Sequence, residues 1–150
     1  MNRRIAHAAQ IGAIVLALAL VPTALAAKGG GGGGGKPPRG ATPTYTGTIN
    51  NLVLVDPTSD GLPHWNHTIT FNVTSNAQYY FVRVDCYQNG TLVYEKSNGF
   101  YPGWMWGTNY GLSGPGWAGG DADCTAVLYS QNVDATNQQT LDTKSFHAYA

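Results

Sequence analysis

Tyr79-Tyr80-Phe81-Val82-Arg83-Val84-Asp85-Cys86-Tyr87-Gln88-Asn89-Gly90-Thr91-Leu92-Val93-Tyr94-Glu95-Lys96-Ser97 reads as two strands on either side of a two-residue turn. Asn89-Gly90 supplies the two positive-φ residues of a type I′ hairpin turn. The flanks are rich in β-branched and aromatic residues, which suit a pleated surface. Strands are expected over 79–88 and 91–97. Upstream, 67–74 alternates cleanly, with Ile69, Phe71 and Val73 on one face and Thr68, Thr70 and Asn72 on the other. A first strand over 46–55 ends at Asp56-Pro57 and Asp60-Gly61. Downstream, 108–112, 122–130 and 140–149 bring the count to seven, and no stretch carries a helical period.

The N-terminal part has a different character. Arg3 and Arg4 precede an apolar run from Ile11 to Val21, Pro22 breaks it, and Ala24-Leu25-Ala26 presents small residues where a signal peptidase cuts. Residues 1–26 are therefore read as a signal peptide. The run is shorter than the roughly 20 residues of a spanning helix. Counted whole from Ile5 to Ala27, an uncleaved anchor is the alternative. Contact with the membrane is expected only through this signal. Residues 27–43, with seven consecutive glycines and Lys36-Pro37-Pro38-Arg39, read as a disordered linker. A domain over 44–150 follows, and its expected place is outside the cell or on the cell surface.

The chain carries no net charge, yet the domain does. From Thr44 onward three bases (Arg83, Lys96, Lys144) face eight acids (Asp56, Asp60, Asp85, Glu95, Asp121, Asp123, Asp134, Asp142), about −5 in all. Such a balance argues against nucleic acid, which needs clustered Lys and Arg. The two cysteines, Cys86 and Cys124, form one disulfide most simply in an oxidising compartment.

Seven short strands in this length fit a Greek-key β-sandwich, with strands labelled A, B, C, C′, E, F and G. Leu112, Pro115-Gly116, Trp117 and the alternating run from Cys124 to Leu128 resemble the E-to-F crossing of fibronectin type III and immunoglobulin-like domains. In those families a Leu closes strand E, a Pro-Gly turn follows, and an aromatic packs under the bend. Bacterial secreted immunoglobulin-like domains look similar as a class. Antibody-type domains join B to F through their bridge and carry a Trp on C. Here the first Cys lies at the end of C, so the bridge is expected between C and F, neighbours in one sheet.

With Val82, Val84 and Cys86 inward, alternation sends Phe81, Arg83, Asp85 and Tyr87 outward. The turn is expected to pair Tyr87 with Leu92 and Asp85 with Tyr94. Cys124 inward sends Val127 and Tyr129 outward, and an inward Phe146 leaves Tyr149 outside. Phe81, Tyr87, Leu92, Tyr94, Val127, Tyr129 and Tyr149 are thus expected to form one aromatic face. Its two readings are a contact surface and cross-strand pairing that stabilises the sheet. Phe100, Tyr101, Trp104, Trp106 and Tyr110 form a second candidate, a binding loop or a plug over a sheet edge.

Other chemistry finds little footing. Asp56 to Gly61 resembles the start of a calcium loop, but Pro57 is foreign to it and a turn explains it better. His64 and His67 lack a third ligand for zinc. No Ser stands in a nucleophile elbow and both Cys go to the bridge. The expectation is therefore a protein without catalytic residues, metal or cofactor. Its partner is an unknown protein or glycan. Three readings follow: an extracellular interaction or adhesion module, a carbohydrate-binding module using Trp and Tyr, and a structural subunit of an assembly.

Overall fold

The computed structural model describes residues 43–150; the stretch read as a signal peptide and most of the stretch read as a linker lie outside the described residues. The domain is all-β, with seven strands in two antiparallel sheets. β1 (Gly47–Leu54), β2 (Thr68–Ser75) and β5 (Tyr110–Gly111) form a three-stranded sheet in the order β1-β2-β5. β3 (Tyr80–Gln88), β4 (Thr91–Gly99), β6 (Ala122–Ser130) and β7 (Gln139–Ala148) form the other, in the order β4-β3-β6-β7. The hairpin turn forms as its residues dictate, with Asn89 at φ 49° and Gly90 at φ 80°.

Alternation delivers the core. Ile69 and Phe71 from β2 meet Val82, Val84 and Cys86 from β3, and Cys124, Ala126 and Leu128 from β6. Cys86 and Cys124 occupy paired positions of β3 and β6 and are bonded to each other. Leu112 and Trp117, from the connection between β5 and β6, are fully buried beneath it.

Three one-residue irregularities interrupt the ladders: one leaves Leu141 as an extra residue on β7, and the other two decide which side chains go where. On β1 the register shifts between Ile49 and Asn51. Around this bulge, the Ile49 N–H donates to Asp142 Oδ2 (2.7 Å) and the Asn50 carbonyl accepts from Lys144 Nζ (3.0 Å). Both partners lie on β7, so the outer edges of the two sheets are tied to each other, a common defence of exposed edges.

The second shift corrects a sequence expectation. Cys86 pairs with Tyr94 and Tyr87 with Leu92, so Val93 is the extra residue on β4. A one-residue insertion flips every side chain beyond it to the other face. Tyr94 therefore stands opposite Cys86 and not Asp85, and points into the core, edge-on to Trp117 at 6.2 Å. Burial pushes its phenol up to about 12. Its hydroxyl finds no hydrogen-bond partner among the described residues, whereas Tyr110, more deeply buried, donates to the Val82 carbonyl at 2.7 Å. Removing an unpaired buried hydroxyl is cheap and removing a bonded one is not. Tyr94→Phe is thus expected to leave stability unchanged or raise it slightly. Tyr110→Phe is expected to cost about 1 kcal/mol in urea unfolding. A larger loss for Tyr94→Phe than for Tyr110→Phe would contradict the assignment.

Candidate binding surface at the loop end of the sheets

The registers set the outer face of the four-stranded sheet in rows. Gly99, Phe81, Tyr129 and Thr140 form the first; Ser97, Arg83, Val127 and Thr143 the second; Glu95, Asp85, Thr125 and Ser145 the third; Leu92, Tyr87, Asp123 and His147 the last. The expected continuous aromatic face is therefore corrected to two separate ends. Between them lies a polar belt in which Arg83 Nε bonds Asp85 Oδ2 at 2.9 Å. Val127 sits half-buried within that belt. Tyr87 and Leu92, 42% and 44% exposed, lie at the hairpin end, and Tyr149 lies at that end as well, beside His147 (4.6 Å).

At the opposite end the aromatic residues do converge. Phe81 stacks on Tyr129 at 5.5 Å and meets Tyr101 (5.4 Å) and Trp104 (5.8 Å) edge-on. Tyr79 packs against Tyr101 at 5.1 Å, and Trp104 against Trp106 at 4.7 Å. The Tyr129 hydroxyl bonds Ser97 Oγ at 2.7 Å. Each contact is of the offset or edge-to-face kind that aromatic rings favour. Of the five aromatics expected in the loop, Tyr101, Trp104 and Trp106 belong here, half plug and half surface. Phe100 and Tyr110 do not, which corrects their assignment. Tyr110 is fully buried and Phe100 packs on it at 6.5 Å, both on the core side. Strand β4 ends at Gly99, and the chain turns over the sheet edge there, sending residues to both faces.

Gly99 is what allows Trp104 to lie down. A Cβ at this position would come within 2.6 Å of Trp104 Cδ2 and Cε3 and 3.0 Å of Tyr101 Cε1. Gly99→Ala is expected to lift the indole off the sheet and to cost about 1–3 kcal/mol through overpacking. Near-ultraviolet circular dichroism should lose aromatic signal. An unchanged spectrum with unchanged stability would refute the packing described. Beyond this base the loop tip stands out in solvent, with Met105 84% and Trp106 65% exposed.

Antiparallel pairing brings the 76–79, 100–109 and 131–138 connections and the lead-in to β1 to this same end. Sequence reasoning missed two features. One is a pair of clefts around Tyr45, at this end. The other, at the far end, is a histidine pair: His64 Nε2 bonds Asp60 Oδ2 at 2.9 Å, and His147 Nδ1 bonds Asp123 Oδ1 at 2.8 Å. The first was visible only as an i,i+4 spacing, and the second spans two strands. Asp56, the start of the apparent calcium loop, instead accepts the Thr68 N–H (3.0 Å).

His64 offers both ring nitrogens to acceptors, the main-chain oxygen of Ala150 (3.0 Å) and Asp60. The Ala150 oxygen and then Asp60 raise its pKa above the usual 6.5, while the His64 bond holds Asp60 below 3.8. A raised folded-state value stabilises below the unfolded value and is lost as pH rises through the folded one. A lowered value acts in the opposite sense. The pair should therefore support the fold most between 3.8 and 6.5. Thermal midpoints should decline above that window, and His64→Gln should flatten the alkaline decline. An equal decline in the variant would exclude the pair as its source.

Compared with known proteins, the chain matches no family model, no curated protein and no solved structure.

Proposed function

We propose that this domain is a non-enzymatic extracellular interaction module of immunoglobulin-like or fibronectin type III-like architecture, and that its partner docks on the loop tip at Met105 and Trp106. The strand orders β1-β2-β5 and β4-β3-β6-β7 support the architecture. They correspond to A-B-E and C′-C-F-G, the sheets into which such sandwiches divide. A buried disulfide is compatible with an oxidising extracellular location.

The observation that carries the docking reading is the contrast between base and tip. Trp104 is held by Phe81, Tyr101 and the Gly99 surface, while its neighbour Trp106 projects into solvent. An exposed Trp on a rigid base resembles a hot-spot anchor, which loses little side-chain entropy on binding. Tyr101 and Trp104 each make edge-to-face contacts with three neighbouring rings, which counts against this corner as a broad platform for a sugar. The structural-subunit reading is less supported, because β1 and β7 are tied together and edge strand β4 carries Lys96.

The test is Trp106→benzoylphenylalanine in the full chain, displayed on cells that export it. Irradiation is expected to capture a discrete partner that is not captured from Thr91, an exposed position at the start of β4, and is competed by unlabelled domain. No capture from position 106, or equal capture from both positions, would overturn the reading.

A further inference from the structure

Two adjoining clefts, about 300 and 320 Å³, open beside the aromatic corner and share Tyr45 and Asn132. Each sits at the lower bound of ligand-sized sites. Half-buried Tyr45 and Tyr79 line them, together with side-chain amides from the β6–β7 connection: Gln131, Asn132, Asn137 and Gln138. From these observations we propose that the paired cleft is a binding site for an uncharged oligosaccharide, with sugar faces against Tyr45 and Tyr79 and hydroxyls bonded to the amides.

The chemistry of the lining selects this class of ligand. A carboxamide both donates and accepts hydrogen bonds, as does each sugar hydroxyl. Among the described residues, the side-chain amides of Gln131, Asn137 and Gln138 make no hydrogen bond within the protein, so they are free to take a ligand. Among the described residues no Lys or Arg lines either cleft, so the described lining holds no cation to pair with a phosphate, sulfate or carboxylate. Asp134, the one carboxylate among the described lining residues, turns its Oδ1 back on its own loop, accepting from Thr136 Oγ1 (2.6 Å) and the Thr136 N–H (3.2 Å). Tyrosine rings complete the set, because they present an apolar face beside a polar edge.

The loop is also shaped in advance. Ala135 and Asn137 both hold left-handed backbone angles, φ 60° and 52°; asparagine adopts this region readily, whereas alanine does so only where its surroundings enforce it. Here the enforcement is a closed ring of bonds. The Asn132 N–H donates to the Thr136 carbonyl (2.8 Å), the Ala135 N–H to the Asn132 carbonyl (3.0 Å), and Asn132 Nδ2 to Thr136 Oγ1 (3.2 Å). The backbone that carries the amides is thereby held in one shape, which reduces the ordering that binding must supply. The site uses none of the Met105–Trp106 tip, so it stands independently of the docking reading.

The probe is an array of neutral gluco-, manno-, galacto-, xylo- and N-acetylglucosamine oligosaccharides, with sulfated and sialylated glycans as the charged arm, followed by calorimetry on the retained glycan. Asn137→Gly keeps the left-handed angle while removing the amide, and Gln138→Ala removes its neighbour. The wild-type domain is expected to retain at least one neutral glycan. The double variant should weaken that binding about tenfold or more, the loss of one or two good hydrogen bonds, at an unchanged thermal midpoint. Trp106→Ala should leave it intact. Retention of charged glycans only, no retention, undiminished binding in the double variant, or an equal loss in Trp106→Ala would each overturn the proposal. A double variant that unfolds is replaced by Gln138→Ala alone, judged by the same criterion.

Discussion

Trp117→Ala is expected to lower the unfolding free energy by about 3–5 kcal/mol, the cost typical of emptying a large aromatic site in a core. Trp117 is 1% exposed and sits under the connection between β5 and β6. Three interactions hold that connection at this point. The indole Nε1 donates to the Gly120 carbonyl (3.0 Å), the Trp117 N–H donates to the Gly114 carbonyl (3.0 Å), and the Trp117 carbonyl accepts from Trp65 Nε1 (3.1 Å). Alanine keeps the two main-chain groups but removes the ring that places them. It also takes away the surface against which Tyr94 packs.

Domains of this size are stable by only about 5–15 kcal/mol, so the loss is a large part of the total. Urea unfolding of the purified domain measures it. Trp117→Phe separates the two contributions, since it fills most of the volume and forfeits mainly the Gly120 bond, worth about 1 kcal/mol. If alanine costs no more than phenylalanine, the ring does not anchor the crossing.

How much of this was legible beforehand depends on the element. Strands β2 and β3 and the Asn89–Gly90 turn announce themselves, because alternation with period two and a positive-φ dipeptide are local signals. So does the buried Trp117, placed by Leu112 and Pro115-Gly116 in front of it. Tyr94 was not legible. Counting outward from the turn gives the right pair for Leu92 and the wrong face two residues later, because nothing local marks Val93 as a bulge. The aromatic run from Phe100 to Tyr110 shows a second limit. Composition tells that these rings must be buried somewhere, but one chain turning over a sheet edge can send them to both faces. The amide cleft lay further out of reach. Tyr45, Tyr79 and Asn137 are far apart in the chain and conform to no spacing; only the antiparallel return of three strands to one end assembles them.

The bridge is the remaining large contribution. Removing it with Cys86→Ala and Cys124→Ala together is expected to cost about 3–4 kcal/mol. For a domain of this length the thermal midpoint should fall by roughly 15–25 °C. The two residues are paired neighbours across β3 and β6, so the sheet already brings them together without the bond. The bond therefore does little to shape the fold. Its main effect falls on the unfolded chain, where it closes a loop across a sequence separation of 38 residues and removes conformational entropy. Far-ultraviolet circular dichroism of the double variant should accordingly stay native-like below its midpoint. The sulfurs belong to residues 0% and 2% exposed, so a reductant should act on the native wild-type domain slowly and at a rate set by its opening. Once reduction is complete, the wild-type midpoint should fall to that of the double variant, which itself does not respond to reductant. Immediate reduction of the folded domain would contradict the burial, and a midpoint unaffected by loss of both cysteines would contradict the stabilising role. The same argument links the bond to location: the domain reaches its full stability only where thiols are oxidised, and a chain retained in a reducing compartment would operate with that contribution missing.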